Sequence, residues 1–356
     1  MKYTYENTNL IVEPNNWNAN SPKEVLQYAV GGLLYMPATN TKIADTLIEK
    51  RHPEYTSICL CLEDAIGDDV VKQAELCVHD TLKKLYEAKK DGLISIDDLP
   101  LIFVRVREPA QIERVYKICG TRAFSMITGF NLPKFDKSNC DEYIENFKKV
   151  QAKVKKTIYI MPIIESKNVM YKQHRIEQLL YLHDKLSLIS ENVLNVRVGA
   201  TDFCSLFGIR RKMNSTVYDM RVIADCLTDV INVFARNYVC SGPVWEFFNS
   251  EGVEGAWSEG LERELFLDKL NGFIGKTCIH PSQLKYIAKN NIVTYEEYQD
   301  ALGILGMSGG VVGVAKGYGN NKMNEVKTHT NWARKIIGLA GIYGVLAPEN
   351  EEKGEE

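Results

Sequence analysis

Four apolar runs in this chain end on a charge, and the charges are of the kinds that hold a cation and grip an acid. SICLCLEDA closes on Glu63 and Asp64, LIFVRVRE on Arg105 and Arg107, IYIMPIIES on Glu165, and VLNVRVGATD on Asp202. A charge at the end of a buried strand is costly unless it pairs or binds an ion. Glu165 and Asp202 are the expected metal ligands as a pair. Two oxygen donors from neighbouring strand ends, with the other positions left to water and substrate, is how Mg²⁺ is held. Taken alone, Asp202 before FCSLFG reads equally well as a helix cap. Arg105 and Arg107 stand at alternate positions of one strand and so face the same way. Their forked donors suit a carboxylate or a carbonyl oxygen. An internal ion pair with Glu63 or Asp64 is the other reading. The two are compatible, with Asp64 orienting metal-bound water and Glu63 fixing an arginine.

Positioning such groups takes a particular scaffold. Short apolar runs at 31–37, 56–62, 101–106, 124–130, 157–164, 195–200, 238–244 and 272–280 alternate with amphipathic stretches such as DVVKQAELCVHDTLKKLYEAKK and STVYDMRVIADCLTDVINVFARN. Near-continuous apolar strands belong to parallel sheets covered on both faces. Eight of them alternating with helices predict a (β/α)₈ TIM barrel. The competing doubly wound sheet would need fewer strands and a glycine-rich first turn, which is missing. The barrel, with an N-terminal wrap, is expected over residues 1–291. A C-terminal helical and lid extension is expected over 292–345, where glycine-dense SGGVVGVAKGYGNN reads as a hairpin or lid. Residues 346–356 read as a disordered acidic tail.

The 356 residues can bury a large core. With 43 Lys and Arg against 46 Asp and Glu, the net charge of −3 offers no broad basic face for nucleic acid. Nine cysteines without CxxC spacing, several inside apolar runs, read as reduced buried thiols. No apolar run reaches the ~20 residues that cross a bilayer, and no leader pattern opens the chain, so a cytoplasmic protein is expected. Motifs of zinc proteases, phosphate loops and serine hydrolases are missing. Lys276 and His280 flank the last strand in GKTCIHP, with His280 read as structural, and the other histidines carry no mutual spacing.

LCLEDAIGDD, VRVRE, LPKFD, MPIIESKNV, VGATDFCSLFG and GKTCIHPSQL, in this order, resemble the citrate lyase β-subunit and malyl-CoA lyase group of the HpcH/HpaI aldolase superfamily. Within it the chain looks most like the divergent carbon–carbon lyases associated with tellurite-resistance operons. The resemblance implies a barrel that binds Mg²⁺, or Mn²⁺ in its place, and cleaves or forms carbon–carbon bonds. It implies Glu165 and Asp202 as metal ligands, Arg105 on a substrate carboxylate or carbonyl, and Asp64 with Glu63 holding metal-bound waters. It also implies Lys134 as a lysine after the fourth strand, and Glu325 as the acid of a C-terminal lid reaching a neighbouring subunit. A homo-oligomer, trimer or hexamer, goes with that lid.

Three departures move positive charge around the mouth. The loop after the first strand, PATNTKIAD, has only Lys42 as a cation; Arg107 replaces a usual asparagine; and GIRRKMN adds Arg210 and Arg211. Arg107, Lys134, Arg210 and Arg211 are accordingly expected to bind an anionic substrate, free or as a coenzyme A or carrier-protein thioester. The expected reaction is a Mg²⁺-dependent aldol- or Claisen-type cleavage or condensation of a carboxylate-bearing hydroxy or keto acid. The alternatives are a thioester hydrolase with Glu325 as base, and a non-catalytic keto-acid-binding subunit of a biosynthetic complex.

Overall fold

The computed structural model describes residues 1–307, 313–319 and 322–348. The chain divides into two compact units: Met1 with Asn18–Asn290, and Lys2–Trp17 with the chain from Asn291 onward.

The first unit is the eight-stranded parallel barrel. Its strands are β1 (Gly32–Pro37), β2 (Ser57–Cys61), β3 (Leu101–Arg105), β4 (Gly129–Leu132), β5 (Tyr159–Ile164), β6 (Val196–Val198), β7 (Cys240–Ser241) and β8 (Lys276–Cys278). Each pairs in parallel with the next from β1 to β7, and β1 also pairs with β8. The ring closes where the Ile274 N–H donates to the Cys240 carbonyl at 2.8 Å and the Gly242 N–H to the Gly275 carbonyl at 3.0 Å.

Both faces of the strands are buried, for different reasons. Leu34, Ile58, Leu60, Ile102, Val104, Phe130, Ile160 and Val196 join one continuous apolar cluster with the helices. The alternate residues Leu33, Cys59, Cys61, Phe103, Met161 and Ile163 are buried outside that cluster, which places them in the barrel lumen. The strands can therefore read as continuous apolar runs and still carry a polar residue where the lumen opens.

Several expected elements are shorter than their runs. FSMITGF holds only the start of the fourth strand: Phe124 ends the helix Gln111–Phe124, and β4 begins at Gly129. A Cβ on Gly129 would lie 2.2 Å from the Tyr159 carbonyl oxygen, so close approach of β4 to β5 selects glycine there. Runs 238–244 and 272–280 contribute only two and three strand residues. Gly272 and Gly275, at φ of +96° and +70°, turn the chain before β8. The stretch from Ser215 is broken by the turn Val217–Asp219 before the helix Arg221–Phe234.

In the second unit, the helix Tyr295–Gly306 starts from a capping box in which Thr294 and Glu297 exchange hydrogen bonds. It packs on the helix Val326–Tyr343. The N-terminal segment, grouped with the barrel in the sequence reading, belongs to this unit. Leu10–Val12 pairs antiparallel with Val345–Leu346, and the Asn15 N–H donates to the Gly341 carbonyl at 2.8 Å. Of the expected hairpin, Val314–Lys316 pairs antiparallel with Met323–Glu325, while residues 308–312 and 320–321 lie outside the described residues; of the tail expected over 346–356, Leu346 is a strand residue and 349–356 lie outside the described residues. No helix among the described residues is long and apolar enough to cross a membrane.

Candidate functional site

Five of the strand-end residues singled out in the sequence converge, joined by Lys134. Glu63 and Asp64 follow β2, Arg105 is the last residue of β3, Lys134 comes two residues after β4, Glu165 directly follows β5, and Asp202 lies in the first turn of the helix Ala200–Leu206 after β6. All lie at the carboxyl ends of their strands, where parallel barrels carry their chemistry.

Arg105 is the hub. Its Nη2 lies 2.8 Å from Glu63 Oε2, 3.1 Å from Asp64 Oδ2 and 3.1 Å from Glu165 Oε1. Its side chain and those of Glu63 and Glu165 are almost fully buried. Lys134 adds a second cation, bonding Glu63 Oε1 through Nζ and standing 3.6 Å from Asp64 Oδ1. The backbone N–H of Lys134 donates to Glu165 Oε1 at 3.0 Å. To do so Lys134 takes φ of +49°, a region that side chains rarely adopt and that marks functional turns.

Glu165 is held from the other side by a missing side chain. A Cβ on Gly199 would lie 2.0 Å from Glu165 Oε2. Glycine at this position is what lets the carboxylate lie across the end of β6. Asp202 stands within hydrogen-bonding range of the same carboxylate. The cap reading of Asp202 does not hold, because the N-cap is Gly199 and Asp202 is the third helical residue.

The electrostatics follow from crowding. Burial, opposed by Arg105 and reinforced by Asp202, pushes the Glu165 carboxyl up to about 7. Burial, opposed by Lys134 and reinforced by Asp64, also raises Asp202. Burial raises Glu63 against the pull of Arg105. For Asp64, burial is outweighed by the hydrogen bond with Glu63 and the charges of Arg105 and Lys134, so its carboxyl is held low. When all four carboxyls are ionised they face two cations, an excess of two negative charges. One divalent ion balances that excess, and the donors are all oxygens, as Mg²⁺ prefers. Among the described residues no group of three or more His, Cys, Asp or Glu is arranged to hold a metal ion. A ligand pair, with water and substrate completing the shell, is the arrangement that fits.

The remaining charged residues noted in the sequence have surroundings of their own. β3 ends at Arg105, so Arg107 does not share its face. The Arg107 guanidinium reaches the carbonyls of Leu62 and Glu63 at 3.2 and 3.3 Å and the carboxylate of Asp68, bracing the loop after β2. Arg211 is buried, bonded to both Glu264 oxygens at 2.8 and 2.6 Å and to the Val244 carbonyl at 2.7 Å, with its guanidinium 4.7 Å from the Trp245 ring centre. Both of its terminal nitrogens are taken by these structural contacts. Arg210 is exposed. Glu325 is the residue before the helix Val326–Tyr343 in the second unit, where its carboxylate accepts from the Thr328 hydroxyl at 3.2 Å. Lys276 is fully buried on the outer face of β8 against Glu264 and Asp268. His280 caps the turn Pro281–Gln283 and stacks on Phe248.

Three residues at or below this cluster were not singled out in the sequence. Tyr35 of β1 accepts a hydrogen bond from Asn131 Nδ2 of β4 at 2.8 Å, and the Arg105 guanidinium lies 5.7 Å from the Tyr35 ring centre. The third is Gly199, which sits inside VGATDFCSLFG with no local feature that marks it. The available signal for Tyr35 and Asn131 was a polar residue interrupting an apolar run.

No curated protein sequence matches the chain. Among solved structures, the CitE protein of Mycobacterium tuberculosis in complex with magnesium, acetoacetate and coenzyme A is similar at 17% identity and a TM-score of 0.57, covering 88% of this chain and 99% of that one. The M. tuberculosis citrate lyase β-subunit complexed with oxaloacetate and magnesium is 16% identical over 74% of this chain and 98% of that one, with a TM-score of 0.49. RipC from Yersinia pestis is 15% identical over 74% and 95%, with a TM-score of 0.47. At these identities the likeness is one of fold. The model of the C–C bond lyases of the TIM-barrel fold matches residues 24–345, nearly the whole chain, and the protein belongs to that family.

Proposed function

We propose that the protein is a Mg²⁺-dependent lyase that cleaves or forms the carbon–carbon bond of a carboxylate-bearing hydroxy or keto acid, free or as its thioester. The observation that carries this reading is the meeting of Glu165, Asp202 and Arg105 at one end of the barrel, with two carboxylate charges in excess. Glu165 and Asp202 would hold the ion, Mg²⁺ or Mn²⁺. When bound, the ion supplies Lewis-acid polarisation of the substrate's carboxylate and carbonyl oxygens.

The rest falls to the chain's own residues. Arg105 keeps its Nε–H buried and without a protein acceptor. That donor is available to the oxygen on which negative charge grows as the bond breaks. Its Nη2 contacts fix the guanidinium plane beforehand, so little reorganisation is needed during the reaction. Lys134 and Glu63 brace each other, which holds the Glu63 carboxylate beside Arg105. Asp64, more exposed and held ionised, faces the solvent side of the cluster and can orient water or carry a proton. Family membership supports the reaction class, and the shared fold with a protein that holds magnesium and acetoacetate is consistent with the ligand class.

The test is calorimetric titration of Mg²⁺ into the parent and into Glu165→Gln and Asp202→Asn, followed by turnover assays on hydroxy acids and thioesters. Each variant should lose at least tenfold in Mg²⁺ affinity, and turnover should vanish with chelator. A variant that binds Mg²⁺ as the parent does would overturn the ligand assignment.

A further inference from the structure

Two residues past Lys134 the chain carries another buried acid, which the site described so far does not use. Asp136, in the loop after β4, is 5% exposed. The lysines nearest it in the chain turn elsewhere, Lys134 to Glu63 and Lys137 to Glu177, and among the described residues no cation pairs with it. Hydrogen bonds hold its charge instead. Asp136 Oδ1 accepts from the Ser138 N–H at 2.8 Å and from the Ser138 hydroxyl at 2.5 Å, and Oδ2 accepts from Asn168 Nδ2 at 2.9 Å. The buried hydroxyl of Ser166 stands beside the same carboxylate. Burial works against ionisation, but these donors outweigh it and keep the carboxyl below its ordinary value. Hydrogen bonds to a charged acceptor are the strong kind, and a buried carboxylate depends on them.

What they hold is the turn that presents the Lys134 N–H. A lysine at φ of +49° keeps that conformation only if its surroundings impose it. Three hydrogen bonds stitch this loop to the end of β5 and the turn beyond. The Phe135 N–H donates to the Ile163 carbonyl at 3.1 Å, the Lys134 N–H to Glu165 Oε1 at 3.0 Å, and Asn168 to Asp136. Asn139 closes the loop on itself: its Oδ1 takes the Asp136 N–H at 3.0 Å, and its Nδ2 donates to the Lys134 carbonyl at 2.9 Å. Asp136 belongs to both sets. Its side chain meets Asn168, three residues past Glu165, and its backbone is tied to Lys134 through Asn139.

We propose that Asp136 is a positioning residue: its carboxylate clamps the loop after β4 to the turn after β5 and so fixes where the Glu165 carboxylate lies. It acts through the Lys134 N–H and Asn168, not on the ion or the substrate. The inference rests on the reading of Glu165 as a metal ligand. Loss of a group that orients a ligand commonly lowers metal affinity by ~10- to 100-fold.

The experiment is Mg²⁺ calorimetry, well below the melting point, on the parent, Asp136→Asn, Asn168→Ala and the exchange of Asp136→Asn with Asn168→Asp. Asp136→Asn removes the charge and sets one amide against another, and affinity should fall about tenfold. Asn168→Ala removes only the bridge, leaves Asp136 its Ser138 bonds and should lose at least threefold; it decides the matter if Asp136→Asn does not fold. The exchange restores one donor, one acceptor and the net charge, and should bring affinity back to within about threefold of the parent. An exchange that regains its melting point but not its affinity overturns the clamp. Crystal structures of the metal-free parent and Asn168→Ala separate the clamp from the ligand reading. A Lys134 N–H still on Glu165 in the variant, with affinity within twofold of the parent, marks Asp136 as structural and sinks the proposal. A Lys134 N–H that leaves Glu165 upholds the clamp, and Mg²⁺ binding that is then unchanged, or missing even in the parent, counts against Glu165 as a ligand alone.

Discussion

Glu165 and Gly199 fit together as a side chain and the space for it: a Cβ on Gly199 would fall 2.0 Å from Glu165 Oε2 and 2.6 Å from Glu165 Cβ. The opposite oxygen, Oε1, is already taken by Arg105 and the Lys134 N–H. The carboxylate thus has one oxygen committed to Arg105 and the Lys134 N–H and one lying against Gly199, just past β6.

Gly199→Ala should displace the carboxylate without unfolding the barrel. The expected loss is tenfold or more in Mg²⁺ affinity with a melting point within a few degrees of the parent, read by calorimetry and thermal denaturation. Unchanged affinity would mean that Oε2 is not a ligand.

Arg105→Lys retains the charge and loses the fork. A lysine reaches fewer acceptors at once, so turnover should fall on the order of 10²-fold, as when one preorganised donor is removed from a developing oxyanion. Steady-state kinetics on any substrate identified would check it. A rate within threefold of the parent would assign Arg105 to structure.

The Glu165 carboxyl, raised to about 7 from an ordinary value of 4.5, sets a pH dependence in metal-free protein. The folded state holds a proton that the unfolded state releases, so this group's stabilising contribution is complete below pH 4.5 and is lost as pH rises through about 7. Melting temperature in chelator should therefore decline across that window, and Glu165→Gln should flatten the decline. Added Mg²⁺ should stabilise most above pH 7, where both carboxylates are ionised and the ion competes with no proton.

Arg210 and Arg211 are neighbours with opposite expected phenotypes. Arg211→Met strips the partner from Glu264, a carboxylate with no exposure, and should cost about 3–5 kcal/mol of stability with Mg²⁺ affinity unchanged. Arg210→Ala, at an exposed position, should stay within about 0.5 kcal/mol of the parent. If Arg210 contacts substrate, KM alone rises. Denaturant unfolding and kinetics separate the two.

Glu325→Gln decides between bond cleavage and thioester hydrolysis. A lyase should retain carbon–carbon cleavage in this variant, whereas a hydrolase with Glu325 as base should lose turnover. Where Glu325→Gln has lost turnover, mixing its chains with Glu165→Gln chains should restore measurable activity if the acid serves a neighbouring copy, and restore none if it does not.

The barrel was legible because its logic is local. Strands buried on both faces must be apolar throughout, and helices must show one apolar stripe, so eight alternations announce themselves in runs such as SICLC and YIMPII. The strand-end charges were legible for the same reason, since Glu63, Arg105, Glu165 and Asp202 interrupt patterns that otherwise exclude charge. The extent of the weaker strands was not. Backbone contact shortens β4 and β8, with Gly129 against Tyr159 and Gly275 turning beside Gly31, and no pattern within either run encodes a neighbour's carbonyl.

What the chain alone determined, then, is a class of scaffold and a set of charges at the ends of its strands. Only the folded barrel decided which charges meet. Arg105 and Arg107 are equivalent by spacing, yet β3 stops between them, so one is buried among carboxylates and the other ties down a loop. Arg211 looks as free as Arg210 until Glu264, 53 residues further along the chain, takes its donors. Asp136 looks like one more loop acid until Asn168, from the turn after β5, meets its carboxylate. Pairing of a charge is a property of distance in space, and closing a ring of strands brings together residues whose separation along the chain carries no trace of that distance.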